Sequence, residues 1–384
     1  MKRYIHAIET AVPSYVYHQD YAMTCMKRWV SDKVLQRMVH AIYRQSGIER
    51  RYSVLPDFQP GMEAEYFREN ADGTLQEPST GDRNHVYEQS YPALAREAVT
   101  KVFNNTPWLK PSDITHVITV SCTGFCNPGP DLFITREFGL SENVERYHIG
   151  FMGCYAAFPA LRMADQFCRA RPGSVVLILC IELCSLHLQI KPTADSLLAN
   201  ALFADGAAAV LVSDRDPSPG FSGFALEHFG TKLISDGEKD MAWTIGNRGF
   251  DMVLSSYVPR ILGLHARRIL SGFVEDAGVS WPDVAGWAVH PGGKAILTAL
   301  EQEMGWTPER ELALSYRILR EYGNMSSVTV LFVLKAMMEE GEFKHSDRIG
   351  ALAFGPGLTV EFGMLRMIKQ NRIASIAASM ESVA

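Results

Sequence analysis

Short runs of β-branched and aliphatic residues, closed by glycine, proline or aspartate, alternate along this chain with stretches of helical periodicity. That alternation constrains the fold most, because strands covered by helices on both faces read as near-continuous apolar runs. Residues 116–120, 174–180, 207–212, 286–290 and 349–354 carry the strand pattern, the last ending at Gly355-Pro356-Gly357. Residues 23–43, 89–103, 251–270 and 326–340 place apolar side chains at helical spacing. Residues 53–88 are polar and rich in Gly, Pro, Asp and Glu, which marks a surface excursion. Around 214–220 the composition turns to Asp, Ser, Pro and Gly, a boundary between halves 1–215 and 216–384. The pattern predicts an α/β fold with buried sheets. Both halves share one style, as a duplicated unit would, although no residue-level repeat is visible.

A chain of 384 residues has room for one large domain or two of ordinary size. Its net charge of -6 and pI near 6.0 give no general pull toward nucleic acid or anionic membrane. The N-terminus has no apolar run after its charges, and the longest apolar stretches are strand length. The expectation is a cytoplasmic protein without integral membrane association. Seven cysteines, scattered without metal-ligand spacing, suit free thiols in a reducing compartment.

Three residues could carry chemistry. Cys154 lies in Gly150-Phe151-Met152-Gly153-Cys154-Tyr155-Ala156-Ala157, after a glycine and before residues with helical potential. A thiol at a helix N-terminus feels the positive end of the helix dipole, which favours the thiolate. Pro159 then belongs in the first turn or at a kink. In isolation Cys154 reads as a structural thiol, since free cysteine is among the most buried residue types. His290 follows a strand-like run and precedes Pro291-Gly292-Gly293, at a strand end where α/β sheets place active groups. Asn324, in Tyr322-Gly323-Asn324-Met325-Ser326-Ser327, reads alone as a helix cap.

Together the three acquire a mechanism. Cys154 supplies a nucleophile, His290 pairs with it to stabilise a thiolate, and Asn324 joins His290 in donating to an enolate oxygen. Such a set suits acyl transfer followed by decarboxylative carbon–carbon bond formation. A papain-like cysteine hydrolase also uses Cys, His and Asn, with the His roughly 130–150 residues after the Cys. Here that separation is 136 (290 minus 154), so spacing alone leaves both open. The protease's local cysteine signature is absent, and this cysteine is mid-chain.

Five segments decide between them: Gly153-Cys154-Tyr155-Ala156, Ala201-Leu202-Phe203-Ala204-Asp205-Gly206-Ala207-Ala208, His290-Pro291-Gly292-Gly293-Lys294, Gly323-Asn324-Met325-Ser326-Ser327 and Gly355-Pro356-Gly357-Leu358-Thr359-Val360-Glu361. In content and order they resemble the chalcone synthase-like, or type III polyketide synthase, family. The resemblance implies a thiolase-like fold, two duplicated halves in a layered αβαβα arrangement, working as a homodimer. It implies acyl-CoA and malonyl-CoA as substrates and no metal or redox cofactor. Cys154 would hold the starter and growing chain, while His290 and Asn324 promote decarboxylation. A β-ketoacyl synthase III shares this logic but condenses once onto a carrier-bound malonate.

Further positions follow from the same resemblance. Arg37, in Gln36-Arg37-Met38, matches an arginine that contacts CoA phosphates, with Lys33, Arg44, Gly292, Gly293 and Lys294 as further candidates. Cys122, Thr123, Cys184, His187 and Ser326 fall where the family lines its cavity, and Asn127 tips a loop that crosses the dimer. Met252 and Leu188 stand where plant members place two phenylalanines at the cavity mouth. With bacterial alkylpyrone- and alkylresorcinol-forming members similar here, the expected starter is a fatty acyl-CoA in an apolar tunnel.

Overall fold

The computed structural model describes residues 2–370 apart from 31, 62–63, 72–74 and 219. The first half opens with β1 (Tyr4–Ala11), β2 (Tyr15–His18), α1 (Gln19–Trp29), α2 (Lys33–Gln45), β3 (Arg50–Ser53), β4 (Arg68–Glu69) and β5 (Leu75–Gln76). It continues through α3 (Thr80–Asn105), β6 (His116–Ser121), α4 (Pro130–Glu137), β7 (Glu145–Gly150), α5 (Ala157–Ala170), β8 (Val175–Leu183), α6 (Ala194–Leu202) and β9 (Asp205–Ser213). The second half runs β10 (Ser222–Leu233), β11 (Met241–Gly246), β12 (Gly249–Leu254), α7 (Val258–Asp276), β13 (Val284–Val289), α8 (Lys294–Met304), α9 (Ala313–Tyr322), α10 (Thr329–Glu339), β14 (Arg348–Gly355) and β15 (Thr359–Lys369).

Nine strands form one sheet in the order β13-β14-β15-β10-β1-β9-β8-β6-β7. The halves share a pattern that the residues do not reveal. From β1 outward, β9 and β8 join antiparallel and β6 and β7 join parallel. From β10 outward, β15 and β14 join antiparallel and β13 joins parallel. A short antiparallel contact, Tyr4 with Ala225 and Ile5 with Phe224, fuses the two sets.

Three apolar clusters give the layers. The central one packs α5 and α10, through residues such as Phe158, Leu161, Leu331 and Leu334, against inward faces of both strand sets. A second buries α3 and α1 against the opposite face of β8 and β9. The third buries α7 and α8 against the outer face of β13, β14 and β15. Helices therefore alternate with strands in five layers, the thiolase-like arrangement. Strands β8 and β9 are buried on both faces, as their unbroken apolar runs require.

The expected elements are present with corrections. Residues 23–43 fall in two helices rather than one, because the Asp32 carboxylate caps a new start by accepting from Val34 and Leu35 N–H (2.6 and 3.0 Å). The excursion ends early, since a Ser79–Asp82 capping box launches α3 at Thr80. Residues 251–270 are not one helix. Phe250, Met252 and Leu254 also fit a period of two and pair across a hairpin with Ile245, Trp243 and Met241. The helix begins only at Val258, with Pro259 in its first turn.

One ion pair ties the central layer to the second half. Arg162 on α5 donates from both terminal nitrogens to Glu361 on β15 (3.0 and 3.2 Å). The carboxylate is nearly fully buried while the Arg162 side chain is 32% exposed. Replacing Arg162 with Met should therefore cost about 2 kcal/mol, below the 3–5 of a fully buried pair. A shift in the urea midpoint measures this, and a change equivalent to under about 0.5 kcal/mol would mark the pair as solvent-screened.

Candidate active site

Cys154 sits in a tight turn just ahead of α5, with Ala156 N–H bonded to the Gly153 carbonyl (3.0 Å). Pro159 falls in the first turn of α5, where a missing N–H costs nothing. Gly153 has φ of +86°, and a Cβ there would lie 2.5 Å from Pro356 Cδ. A Cβ on Gly355 would likewise lie 2.4 Å from the Tyr155 ring. The loops of the two halves thus interlock, and only glycines permit the approach.

His290 follows β13, its N–H bonded to the Leu352 carbonyl (2.8 Å). The ring is buried, and neither nitrogen has a hydrogen-bond partner among the described residues. Burial pulls its pKa down to about 3, so the imidazole is neutral. Asn324 is stitched to the end of α6, its N–H to the Leu202 carbonyl and its carbonyl from Ala204 N–H (both 2.9 Å). Its amide donates to the Gly292 carbonyl (3.0 Å) and its oxygen accepts from Ser326 N–H (2.9 Å). One amide N–H remains for a ligand.

Cys154, His290 and Asn324 meet on a cavity of ≈600 Å³ that is chiefly apolar. Burial pushes the Cys154 thiol up to about 12, opposed by the Ser326 hydroxyl, while Glu182 raises it further and the Asn324 amide lowers it. Among the described residues no hydrogen bond joins His290 to Cys154. Burial thus raises the Cys154 thiol and lowers the His290 imidazole, so each opposes becoming charged by itself.

Cys122, Thr123, Cys184, Met252, Ser326 and Gly292 all line this cavity. His187 and Leu188 line an adjoining chamber of ≈590 Å³, which shares Cys184, Phe203, Trp243 and Met252 with the first. The rings of Phe203 and Trp243 line both chambers, so the shared lining is aromatic as well as aliphatic. His187 is a clamp: it stacks on Phe250 (4.0 Å), donates from Nε2 to the Thr123 carbonyl (2.7 Å) and accepts from Phe250 N–H (3.2 Å). Trp243 donates to the adjacent Cys122 carbonyl (2.8 Å).

Other candidates lie outside the cavity. Asn127 is exposed on its loop. Lys33, Arg37 and Arg44 are exposed on α2, where Arg44 pairs with Asp20 (3.2 Å). Lys294 opens α8, its stem over Gly47. Gly293 lies beside Leu202, and the Gly292 carbonyl already serves Asn324.

The residues missed by sequence reading are Phe203, Trp243 and Glu182. Phe203 lies within Ala201-Leu202-Phe203-Ala204-Asp205, one of the segments that carry the family resemblance, and an acid closing the apolar run of β8 was a visible signal for Glu182. Trp243 gave none, since the helical spacing from 251 onward hides the strand that pairs with residues 241–246. The fully buried Glu182 accepts from Cys122 N–H (2.9 Å), Thr123 Oγ1 (3.0 Å) and Ser327 Oγ (2.5 Å), with Cys122 Sγ at 3.4 Å. Burial raises its pKa and these donors oppose the shift.

The sequence models for the N- and C-terminal domains of chalcone and stilbene synthases match residues 2–217 and 226–369. The chain belongs to the chalcone and stilbene synthase family. It is a type III polyketide synthase, a condensing acyltransferase, which removes the cysteine-protease reading. The synthase is 30% identical to an alpha-pyrone synthesis polyketide synthase-like protein of Mycobacterium tuberculosis, over 94% of this chain and 90% of that one. It is 29% identical to the 3,5-dihydroxyphenylacetyl-CoA synthase of Amycolatopsis orientalis, over 85% of each. Among solved structures, the polyketide synthase PKS-I of the brown alga Ectocarpus siliculosus superposes with TM-score 0.87 at 28% identity, covering 96% of this chain and 98% of that one. The 1,3,6,8-tetrahydroxynaphthalene synthase of Streptomyces coelicolor gives 0.80 at 28%, covering 95% and 99%.

A glutamine in place of Glu182 could keep one oxygen for Cys122 N–H and Thr123 Oγ1, but its amide would force the Ser327 hydroxyl to accept instead of donate and would lose the charge that strengthens these bonds. Glu182→Gln should destabilise the synthase by about 1–3 kcal/mol despite being isosteric. Thermal melting checks this, and an unchanged midpoint would mean that water already relieves the carboxylate.

Proposed function

We propose that the synthase loads an acyl group from a fatty acyl-CoA onto Cys154 and extends it with malonyl-CoA to a pyrone or resorcinol-type polyketide. The observation that carries this reading is a buried His290 ring with no protein partner, facing the same apolar cavity as Cys154 and the Asn324 amide. A buried polar group without a partner is costly, which suits one kept for a ligand.

In loading, the Cys154 proton passes to His290, the sulfur attacks the acyl thioester, and coenzyme A leaves with the proton. Burial opposes charging either group alone, so the two charge together, each the counter-ion of the other. In extension, the malonyl carboxylate departs as carbon dioxide and its electron pair moves to the thioester oxygen as an enolate. An imidazole N–H and the remaining Asn324 N–H donate to that oxygen. The enolate carbon then attacks the Cys154 thioester and the thiolate departs. Residues 1–215 supply the nucleophile in this reading, and 216–384 the imidazole and amide.

The apolar lining by Met241, Met252, Leu254, Ile296 and Phe354 supports an acyl chain over a polar starter. The activities for which the mycobacterial and Amycolatopsis relatives are named support a cyclised aromatic or pyrone product. Arg37 and Lys294, with Lys33 and Arg44, are assigned to the CoA phosphates, and Gly292 and Gly293 to the approach of the pantetheine arm. Coenzyme A thioesters complete the chemistry without a metal or redox cofactor. The reading includes a cytoplasmic homodimer: β7 is an open sheet edge, and the loop with exposed Phe125 and Asn127 supports contact with a second copy. No helix among the described residues is long and apolar enough to cross a membrane.

Incubation with an acyl-CoA series and labelled malonyl-CoA should give multi-unit pyrones or phenols by mass. A single condensation that needs carrier protein would indicate the β-ketoacyl synthase III reaction instead. Cys154→Ala should abolish acylation in intact-protein mass spectra; acylation retained elsewhere would sink the nucleophile assignment. His290→Ala removes the only proposed proton acceptor, so iodoacetamide should alkylate Cys154 at least about tenfold more slowly at neutral pH, with the profile moved upward. An unchanged profile would remove His290 from loading.

A further inference from the structure

Arg51, on β3, is almost fully buried, yet no carboxylate lies within ion-pair distance of it among the described residues. Its donors go to the end of α6. A helix C-terminus leaves four carbonyls without intrahelical partners and carries partial negative charge. Here the Asn200 carbonyl accepts from Arg51 Nη1 (2.9 Å) and the Tyr43 hydroxyl (3.1 Å). The Ala201 carbonyl accepts from Gln19 Nε2 (2.7 Å), which is itself fixed because Arg51 Nε donates to Gln19 Oε1 (3.0 Å). The Leu202 carbonyl accepts from Asn324 N–H (2.9 Å), and the Phe203 carbonyl from Arg51 Nη1 (2.6 Å).

Arg51 and Asn324 therefore hold neighbouring carbonyls of one short stretch. The stem of Arg51 also presses on the residue before Asn324. Gly323 has φ of +70°, and a Cβ there would lie 2.8 Å from Arg51 Cγ and 2.9 Å from the Leu202 carbonyl. Phe203, whose carbonyl Arg51 holds, walls both chambers.

We infer that Arg51 is a positioning residue for the condensation: by capping α6 it sets the Phe203–Asn324 junction, and so the direction of the amide N–H that meets the enolate oxygen. This rests on the role given to Asn324 above. Arg51 touches no reacting atom and acts through backbone. The task needs a guanidinium, because Nε and Nη1 serve three acceptors in a fixed fork that one ammonium cannot reproduce.

Two half-reactions separate this from a structural role. Carbon dioxide release from malonyl-CoA without starter depends on Asn324, whereas single-turnover acylation of Cys154, read by intact mass, depends on the thiol and imidazole. Arg51→Lys should lower decarboxylation at least about tenfold, within the range for a displaced oxyanion donor, with loading changed less than about threefold. In Arg51→Ala, methylguanidinium should restore part of the decarboxylation and methylammonium should not. Equal losses in both half-reactions, tracking the folded fraction in a thermal melt, would overturn the inference, as would full decarboxylation by Arg51→Lys. Asn324→Ala is run alongside. If it keeps full decarboxylation, the role of Asn324 fails and the inference with it; if it loses decarboxylation while Arg51→Lys keeps it, the positioning alone is wrong.

Discussion

The site depends on one close contact, the approach of Pro356 to the backbone of Gly153. It joins a loop of the first half to a loop of the second at a separation no side chain could share. Everything the cavity holds in register follows from it. Cys154 comes from the loop beside Gly153, His290 from the end of β13 and Asn324 from the turn before α10, so the three converge only if the halves meet closely. The central helices α5 and α10 give the halves a common core, and the fusion of β1 with β10 keeps their strands in one sheet. Backbone strain gathers at the same place: Phe151, Ser326 and Leu358 have positive φ without being glycine. Such strain is held in place by surrounding packing and is typical of functional sites.

Electrostatically the cavity opposes isolated charge. The thiols of Cys122, Cys154 and Cys184 are all pushed up by burial, and His290 is pulled down. Glu182 raises all three thiols further. In the proposed mechanism this environment keeps Cys154 neutral until a thioester is present. It also places the cost of charge separation at the moment when an acceptor is present, where donors aimed at a developing oxyanion are most effective.

Much of this was legible in the chain. Buried strands on both faces produce unbroken apolar runs, so β6, β8, β9, β13 and β14 could be read within a few residues. Edge or register-shifted strands such as β7 and β10 carry mixed patterns and were not. Cys154, His290 and Asn324 stand out because each lies in a segment that carries the family resemblance, and Cys154 and Asn324 each follow a glycine with positive φ. Trp243 and Arg51 could not. The first sits on a hairpin whose apolar spacing fits two periods, and the second is a charged residue buried by carbonyls about 150 positions away, which no local pattern reports. The duplication is likewise visible in strand order while the side chains have diverged.

The β11–β12 hairpin stands apart from the nine-stranded sheet. It is held at its tip by Thr80, which accepts from Gly249 N–H, and along its length by Trp243 and by the His187–Phe250 stack. A wall hung from the frame in this way can be exchanged without unpicking the ladder that carries the frame. Lineages built on this architecture are therefore free to change which guest they admit while the machinery for joining carbon to carbon stays as it was.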